Sequence, residues 1–186
     1  MDVNGYIVRI KEALALEEPE NKNRLWTIKQ VSLASIQKAF APHASWNELN
    51  DENSKFVKFL NTVAGEENGK YSVFVLRVLS ILWCEGSPKE KAAEFYSNCQ
   101  DGDQDKIACN DKDFKPNLFR LFDLATVMVF KNEPNYMNTD ANDVTDEKIE
   151  SVKATYDDIA EEFLDAVFDV ESMLKQSEWE QAVAKE

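Results

Sequence analysis

The sequence contains few of the residues that build catalytic and nucleotide-binding sites. Its 186 residues include one histidine, five glycines and five prolines. Neither a glycine-rich phosphate loop nor a dinucleotide-binding fingerprint is present. The histidine, His43, lies in the stretch APHASW, where no serine or cysteine forms a recognisable nucleophile motif with it. We therefore expect a protein that is not an enzyme.

Cysteines are also few, and long apolar runs are missing. The three cysteines lack the close pairing of zinc ligands and fit reduced thiols in an intracellular compartment. No apolar run is long enough to span a bilayer. The N-terminal stretch MDVNGYIVRIKEALAL mixes acidic with apolar residues, unlike a secretory signal. These features predict an intracellular, cytoplasmic protein without a transmembrane segment.

Basic residues are scarce in the last third of the chain. The formal net charge is −14, and residues 133–186 hold 16 acidic and 4 basic side chains, against 19 and 17 in residues 1–132. Such an acidic surface repels phosphate backbones, so no nucleic-acid partner is expected. Basic protein segments or cations are its natural complement. A charge run of this kind is also typical of a solvated helix face.

Apolar residues, which make up 44% of the chain, recur mostly at helical spacing and predict an all-α fold. The run VFVLRVLSILW, residues 73–83, is apolar nearly all round, which indicates a helix buried on several sides. Gly86 follows it and predicts a left-handed helix stop. Ser87-Pro88-Lys89-Glu90 then combines an N-cap serine, a proline at the first helical position and a glutamate three residues after the cap. This predicts the start of the next helix.

Helix, short polar loop and helix follow one another more than once. In a calcium-binding hand, a 12-residue loop supplies oxygen ligands at positions 1, 3, 5, 7, 9 and 12 and has glycine at position 6. The stretch AGEENGKYSVFV, residues 64–75, fits with Gly69 at position 6 and Tyr71 at position 8. However, Ala64 at position 1 has no side-chain oxygen, and Val75 replaces the glutamate at position 12. The sequence therefore predicts the shape of the loop, but it lacks the carboxylates at positions 1 and 12 that would bind the ion.

The stretch QDGDQDKI indicates another loop, at about residues 99–111. Its Ile107 lies 36 residues after Tyr71, which is a usual distance between successive hands. Depending on the frame, Gln100 or Cys99 takes position 1, and neither is the expected aspartate. The acidic residues of this loop are weak metal candidates: Asp101, Asp103, Asp105 and Asp111.

Two further loops are indicated at the ends of the chain. In VFDVESMLKQSEW, residues 167–178 place Leu174 at position 8 and the intact glutamate Glu178 at position 12. Asp169, Glu171 and Glu178 are the first metal candidates. Counting back from Tyr71 by a similar interval reaches Leu33, where the sequence predicts a vestigial first hand without recognisable ligands.

Residues 75–107, VLRVLSILWCEGSPKEKAAEFYSNCQDGDQDKI, resemble the stretch that joins the second and third hands in four-EF-hand proteins of the neuronal calcium sensor and calcineurin B type. Glu90-Lys91 and Phe95 match that family's helix start and its aromatic lead into the third loop. The resemblance covers roughly residues 25–186.

This resemblance implies paired helix-loop-helix hands in two lobes, residues 1–86 and 87–186. Residues 131–146, KNEPNYMNTDANDVTD, have the turn-forming composition of an exposed, acidic linker. The resemblance also implies an apolar groove that receives a partner helix. The family's full ligand sets and its shorter link between the third and fourth hands are missing. Its calcium dependence therefore does not carry over intact.

The chain is rich in large apolar residues, with eleven phenylalanines and four tryptophans. Core filling accounts for any single one, but together they exceed what two small lobes need. We expect an adaptor or assembly subunit that binds a basic, amphipathic helix of a partner protein, largely without calcium. The groove candidates are Phe74, Leu76, Leu79, Leu82, Trp83, Phe119, Phe122, Met128 and Trp179. The alternative is a calcium sensor or buffer with one or two weak sites, and no other cofactor is expected.

Overall fold

The computed structural model describes residues 1–20, 25–26, 28–66, 68–100, 106–110, 114–128, 145–168 and 173–185. The chain divides into two units, Met1–Gly86 and Ser87–Glu186. The described part is mostly helical, as predicted, and each unit adds one small antiparallel sheet. None of the helices described combines the length and the apolar character needed to cross a membrane. The predicted linker at 131–146 lies outside the described residues as far as residue 144.

The first unit contains two helix-strand-helix segments joined by a short 3₁₀ helix. In chain order its elements are α1 (Val3–Glu17), β1 (Gln30–Ser32), α2 (Leu33–Phe40), the 3₁₀ helix (Ala44–Asn50), α3 (Lys55–Val63), β2 (Lys70–Ser72) and α4 (Val73–Trp83). The strands pair with Val31 opposite Tyr71. The strand residue facing Tyr71 is thus Val31, two positions before the predicted Leu33, which instead begins α2.

Serine side chains start both helices that follow these strands. Ser32 accepts a hydrogen bond from the Ser35 N–H at the start of α2, and Ser72 accepts one from the Val75 N–H at the start of α4. An N-cap serine satisfies one of the free N–H groups in the first helical turn. Each strand therefore passes directly into a capped helix.

The core of the first unit forms around α1 and α4. Ile10, Ala13 and Leu14 of α1 are fully buried. The predicted all-round apolar helix is confirmed, since α4 buries residues on several sides. Even Arg77 is buried there, with its guanidinium 4.1 Å from the centre of the Trp26 ring. This cation–π contact helps to compensate for removing the charge from water.

The second unit repeats the helix-strand-helix arrangement with a longer middle section. Its elements are α5 (Pro88–Cys99), β3 (Lys106–Ala108), α6 (Phe114–Phe122), a π-helical continuation (Asp123–Met128), α7 (Asp146–Lys153), α8 (Tyr156–Phe168), β4 (Met173–Lys175) and α9 (Gln176–Val183). Strands β3 and β4 pair with Ile107 opposite Leu174. Both residues are buried.

Trp179 of α9 is the centre of the second core. It is 1% exposed, and its indole N–H donates to the Ala92 carbonyl at 2.9 Å. Five aromatic rings surround it with centroids 5.5–6.4 Å away: Phe95, Tyr96, Phe114, Phe163 and Phe168. These rings come from three helices, so Trp179 joins α9 to α5, α6 and α8.

The boundary between α4 and α5 shows one confirmed and one incorrect prediction. The capping box is present: Ser87 Oγ accepts from the Glu90 N–H, and the Glu90 carboxylate accepts from the Ser87 N–H at 2.8 Å. Gly86 does not supply a left-handed stop, because Gly69 is the only described glycine with a positive φ. Instead, α4 ends where Cys84 turns to an extended conformation.

Candidate functional site

The second loop of the first unit, residues 64–75, is closed by its own hydrogen bonds. The Glu66 N–H donates to the Lys70 carbonyl at 2.8 Å, and the Gly69 N–H donates to the Glu66 carbonyl at 2.9 Å. Gly69 adopts a φ of 72°, the conformation for which glycine is needed at position 6. Lys70 occupies position 7, whose carbonyl binds the ion in a calcium loop. Here that carbonyl already has a backbone donor.

Three further ligand positions of this loop are also used or lack a side-chain oxygen. Asn68, at position 5, accepts from the Lys70 N–H at 3.0 Å and donates to the side chain of Gln30 at 2.6 Å. Ala64 and Val75, at positions 1 and 12, are 2% and 4% exposed and belong to the core. The residues that should bind a cation instead join the loop to β1 and to the interior.

Glu17, at the end of α1, links both loops of the first unit. Its carboxylate accepts from the Ser32 N–H at 2.9 Å and from the Ser32 hydroxyl, and it lies 3.3 Å from the Lys70 ammonium. Burial alone would raise the pKa of this carboxyl, but the hydrogen bonds from Ser32, Ser35 and Lys70 outweigh it and lower the pKa to about 2. A lysine ammonium therefore supplies the positive charge beside this pair of loops.

Glu178 is the one metal candidate within the described residues. It lies in the first turn of α9, where its exposed carboxylate accepts from the Lys175 N–H at 2.8 Å. The side chain thus caps its own helix. The remaining candidates lie outside the described residues: Asp101, Asp103, Asp105, Asp111, Asp169 and Glu171. Across the ranges that are described, no three histidine, cysteine or acidic side chains are grouped so that they could hold a metal ion.

The predicted groove residues fall into different environments. Leu76, Leu79 and Trp179 are at most 2% exposed, so they fill the cores and a partner cannot reach them in this structure. In the sequence, these three residues follow the same helical spacing of apolar residues as the accessible candidates. This spacing does not distinguish positions that face the core from positions that face a groove. The half-buried members are Phe74, Leu82, Phe119 and Phe122. The side chain of Met128 lies outside the described residues.

Trp83, at the end of α4, is the most accessible of the groove candidates described, with 41% of its surface exposed. Its ring centre lies 4.8 Å from that of Phe59 and 6.1 Å from that of Phe56. Phe56 in turn lies 5.5 Å from Trp46. We call Trp46, Phe56 and Trp83 the Trp83 surface.

The Trp83 surface connects with the core of its unit. Trp46 packs on Tyr6 and Phe40, with ring centres 5.4 and 5.0 Å apart. Both of these partners are buried, whereas Trp46 and Phe56 are half-buried. A continuous row of aromatic rings therefore leads from the interior to the exposed face of Trp83. Rings held in this way lose little conformational freedom when a partner covers them.

Trp46 and Phe56 were missed from the sequence. Trp46 lies in the 3₁₀ helix, whose φ/ψ values break at that residue, so no helical periodicity connects it with α3 or α4. Phe56 lies on α3 between the exposed Lys55 and the buried Val57. Phe56 lies in the first turn after the N-cap Ser54, and this cap was the sequence signal that places it on a helix. No local feature of the sequence indicates that it meets Trp83.

Phe119 and Phe122 of α6 form a smaller aromatic group with Tyr156 of α8. Their ring centres lie 5.9 and 5.4 Å from that of Tyr156. The Tyr156 hydroxyl contacts Thr126 at 2.8 Å and donates to Asp123 at 3.3 Å. Lys115 lies over the Phe119 ring and pairs with Asp157 at 2.6 Å. These contacts hold α6 against α8.

In comparisons with known proteins, no family model, no curated protein and no solved structure matches the chain.

Proposed function

We propose that this chain is a non-enzymatic, EF-hand-like adaptor or assembly subunit that binds a helical segment of a partner protein, largely without calcium. The Trp83 surface carries the proposal. Isolated apolar side chains are common on protein surfaces, whereas connected aromatic residues that remain partly exposed mark interaction sites. Tryptophan is also among the residues that contribute most to binding energy in protein interfaces.

The strand pairing supports an EF-hand-like fold. In each unit, two helix-strand-helix segments meet through three-residue antiparallel strands. The apolar residues assigned to position 8 face one another in the second unit, where Ile107 is opposite Leu174. In the first unit Tyr71 faces Val31. This is the arrangement expected of paired hands, here with loops that lack the full set of ligands.

The internal contacts of the first unit support a role without calcium. Its second loop satisfies the Lys70 carbonyl and the Asn68 side chain from within the chain. The Lys70 ammonium pairs with Glu17 beside the loops. A cation would have to displace these contacts, and neither Ala64 nor Val75 offers it a carboxylate in return.

The alternative is a calcium sensor or buffer with one or two weak sites. Its support is the exposed carboxylate of Glu178, which lies just after β4 at the place of a closing ligand. Calorimetry with calcium, and with magnesium as a control, distinguishes the two functions. Saturable heat with calcium alone at micromolar to millimolar concentrations would favour the sensor.

Replacing Trp83 tests the proposed surface. The full chain, Trp83→Ala and Trp83→Phe are used to capture partners from native extract. We expect the alanine variant to lose the partner and the phenylalanine variant, which keeps an aromatic ring against Phe59, to recover much of it. Val8→Ala is the control, because Val8 is 45% exposed on α1 of the same unit. Undiminished capture by Trp83→Ala, with thermal unfolding unchanged, would exclude this surface.

A further inference from the structure

The outward side of α8 carries a row of exposed acidic residues. Asp158, Glu162 and Asp165 recur at spacings of four and three, so they lie on one side of the helix. All three are exposed. Among the lysines and arginines that the structure describes, none forms an ion pair with them. Ile159 and Ala166, seven residues apart and also exposed, lie along the neighbouring stripe. These five residues define the outer face of α8.

The opposite side of α8 is already used for packing. Tyr156, Ala160 and Val167 are buried, and the helix contacts α6 and α9 through that side. Lys115 of α6 is engaged with Asp157 at the helix start. Within the part of the chain that the structure describes, the outer face is therefore an unpartnered helix face, and Ile159, at 46% exposure, is its largest apolar residue.

The charge pattern differs from that of an ordinary solvated helix. Tyr156–Phe168 contains five carboxylates and no lysine or arginine. Solvated helices commonly alternate acidic and basic residues four apart, since such pairs stabilise the helix. Asp158 lies in the first turn, where the helix dipole favours a carboxylate, but Glu162 is a like charge four residues further on and Asp165 stands near the negative end of the dipole. The isolated fold thus bears repulsion that a cationic partner would relieve.

We propose that the outer face of α8 binds a lysine- or arginine-rich amphipathic segment of a protein, with Ile159 covered by the apolar side of that segment. Charge complementarity selects this occupant, since the same carboxylates repel acidic peptides, nucleic acids and anionic lipid surfaces. The inference rests on the proposed function, because it gives the partner its charge and adds a second contact surface. Binding weakens as salt screens the carboxylates.

The test uses the full chain and a dye-labelled amphipathic helical peptide made of lysine, leucine and alanine. The same peptide with glutamate in place of lysine is the control probe. Fluorescence anisotropy at low salt measures the affinity. We expect Asp158→Asn, Glu162→Gln and Asp165→Asn together to weaken binding about tenfold, and Ile159→Ser alone to weaken it less. The acidic peptide should not bind.

A matched variant separates a specific face from general charge attraction. Glu48→Gln, Glu52→Gln and Glu66→Gln together remove the same number of charges from exposed positions of the first unit. We expect this control to bind the lysine peptide nearly as well as the unaltered chain. The thermal unfolding midpoint of the outer-face triple variant is measured beside that of the unaltered chain, and we expect the two to be equal, because the variant loses both like-charge repulsion and the favourable first-turn charge of Asp158. Weaker binding in that variant then cannot result from unfolding.

The possible outcomes keep this inference separate from the proposed function. Unchanged affinity in the outer-face variant, or an equal loss in the control variant, overturns the inference. If Trp83→Ala weakens peptide binding and the outer-face variant does not, the Trp83 surface stands alone. If only the outer-face variant weakens binding, the inference stands and the Trp83 surface is excluded as the docking site for this peptide.

Discussion

Single residues in the first unit join several of its helices and strands. Glu17 accepts hydrogen bonds from Ser32 of β1 and lies beside the ammonium of Lys70 of β2. One carboxylate therefore links α1 with both strands. The sequence did not indicate this contact, because Glu17 and Lys70 are far apart in the chain and no motif connects them.

The pH dependence of stability tests the role of Glu17. Its folded pKa, about 2, lies below the ordinary 4.5, so the charged form favours the folded state. Its contribution is complete above pH 4.5 and is lost as the pH falls towards 2. Since solvent screens this partly exposed group, we expect Glu17→Gln to lower the free energy of unfolding by about 1 kcal/mol at neutral pH.

Urea unfolding near neutral pH and well below pH 4.5 measures the effect of Glu17→Gln. The difference from the unaltered chain should shrink in acid, because protonated Glu17 resembles glutamine. Glu20→Gln is the control, since Glu20 is an exposed acidic residue close by. A difference that stays constant with pH would contradict the proposed contact.

Two glycines of the second loop are expected to resist substitution for different reasons. Gly69 has a φ of 72° and open space where a Cβ would lie, so Gly69→Ala should cost about 1 kcal/mol through backbone strain alone. A Cβ at Gly65 would overlap the Asn61 carbonyl oxygen. Gly65→Ala should therefore cost more, about 2 kcal/mol, through this steric overlap. Chemical unfolding of both variants measures this, and the reverse order would be inconsistent with the loop geometry.

At the scale of elements, local sequence signals predicted the start of α5 well, whereas long-range contacts could not be predicted. The Ser87 capping box was confirmed because all its partners lie within four residues. The Gly86 stop was wrong, because the extended conformation of Cys84 ends α4 without a left-handed residue. Leu76 and Trp83 lie on the same side of α4, yet only Trp83 is accessible. Burial depends on which elements pack nearby, and periodicity does not contain that information.

Removing the Ser87 cap tests the best local prediction. Ser87→Ala should lower the free energy of unfolding by about 1 kcal/mol, because the N–H of Glu90 loses its acceptor. Ser177→Ala provides the control, since Ser177 is an exposed serine inside α9, where alanine favours the helix. Equal unfolding midpoints for the two variants in urea would show that the cap does not stabilise α5.

At the scale of the whole molecule, we propose that the two units offer different surfaces to a partner. The first presents the Trp83 surface, and the second presents the acidic outer face of α8. The aromatic contacts of the first surface and the charges of the second contribute to recognition in different ways. Buried aromatic contacts dominate affinity, whereas charges govern specificity and association rate. In the first unit, hydrogen bonds and the ion pair of Lys70 with Glu17 join the loops within the chain.

The most direct test of this function compares partner recovery from native extract in the presence of calcium and in the presence of a calcium chelator. The full-length chain is the bait, and Trp83→Ala is the negative control. We predict recovery of the same basic, helical partner in equal amounts under both conditions, with loss of that partner in the variant. Recovery only when calcium is present would contradict the proposal and favour a calcium sensor.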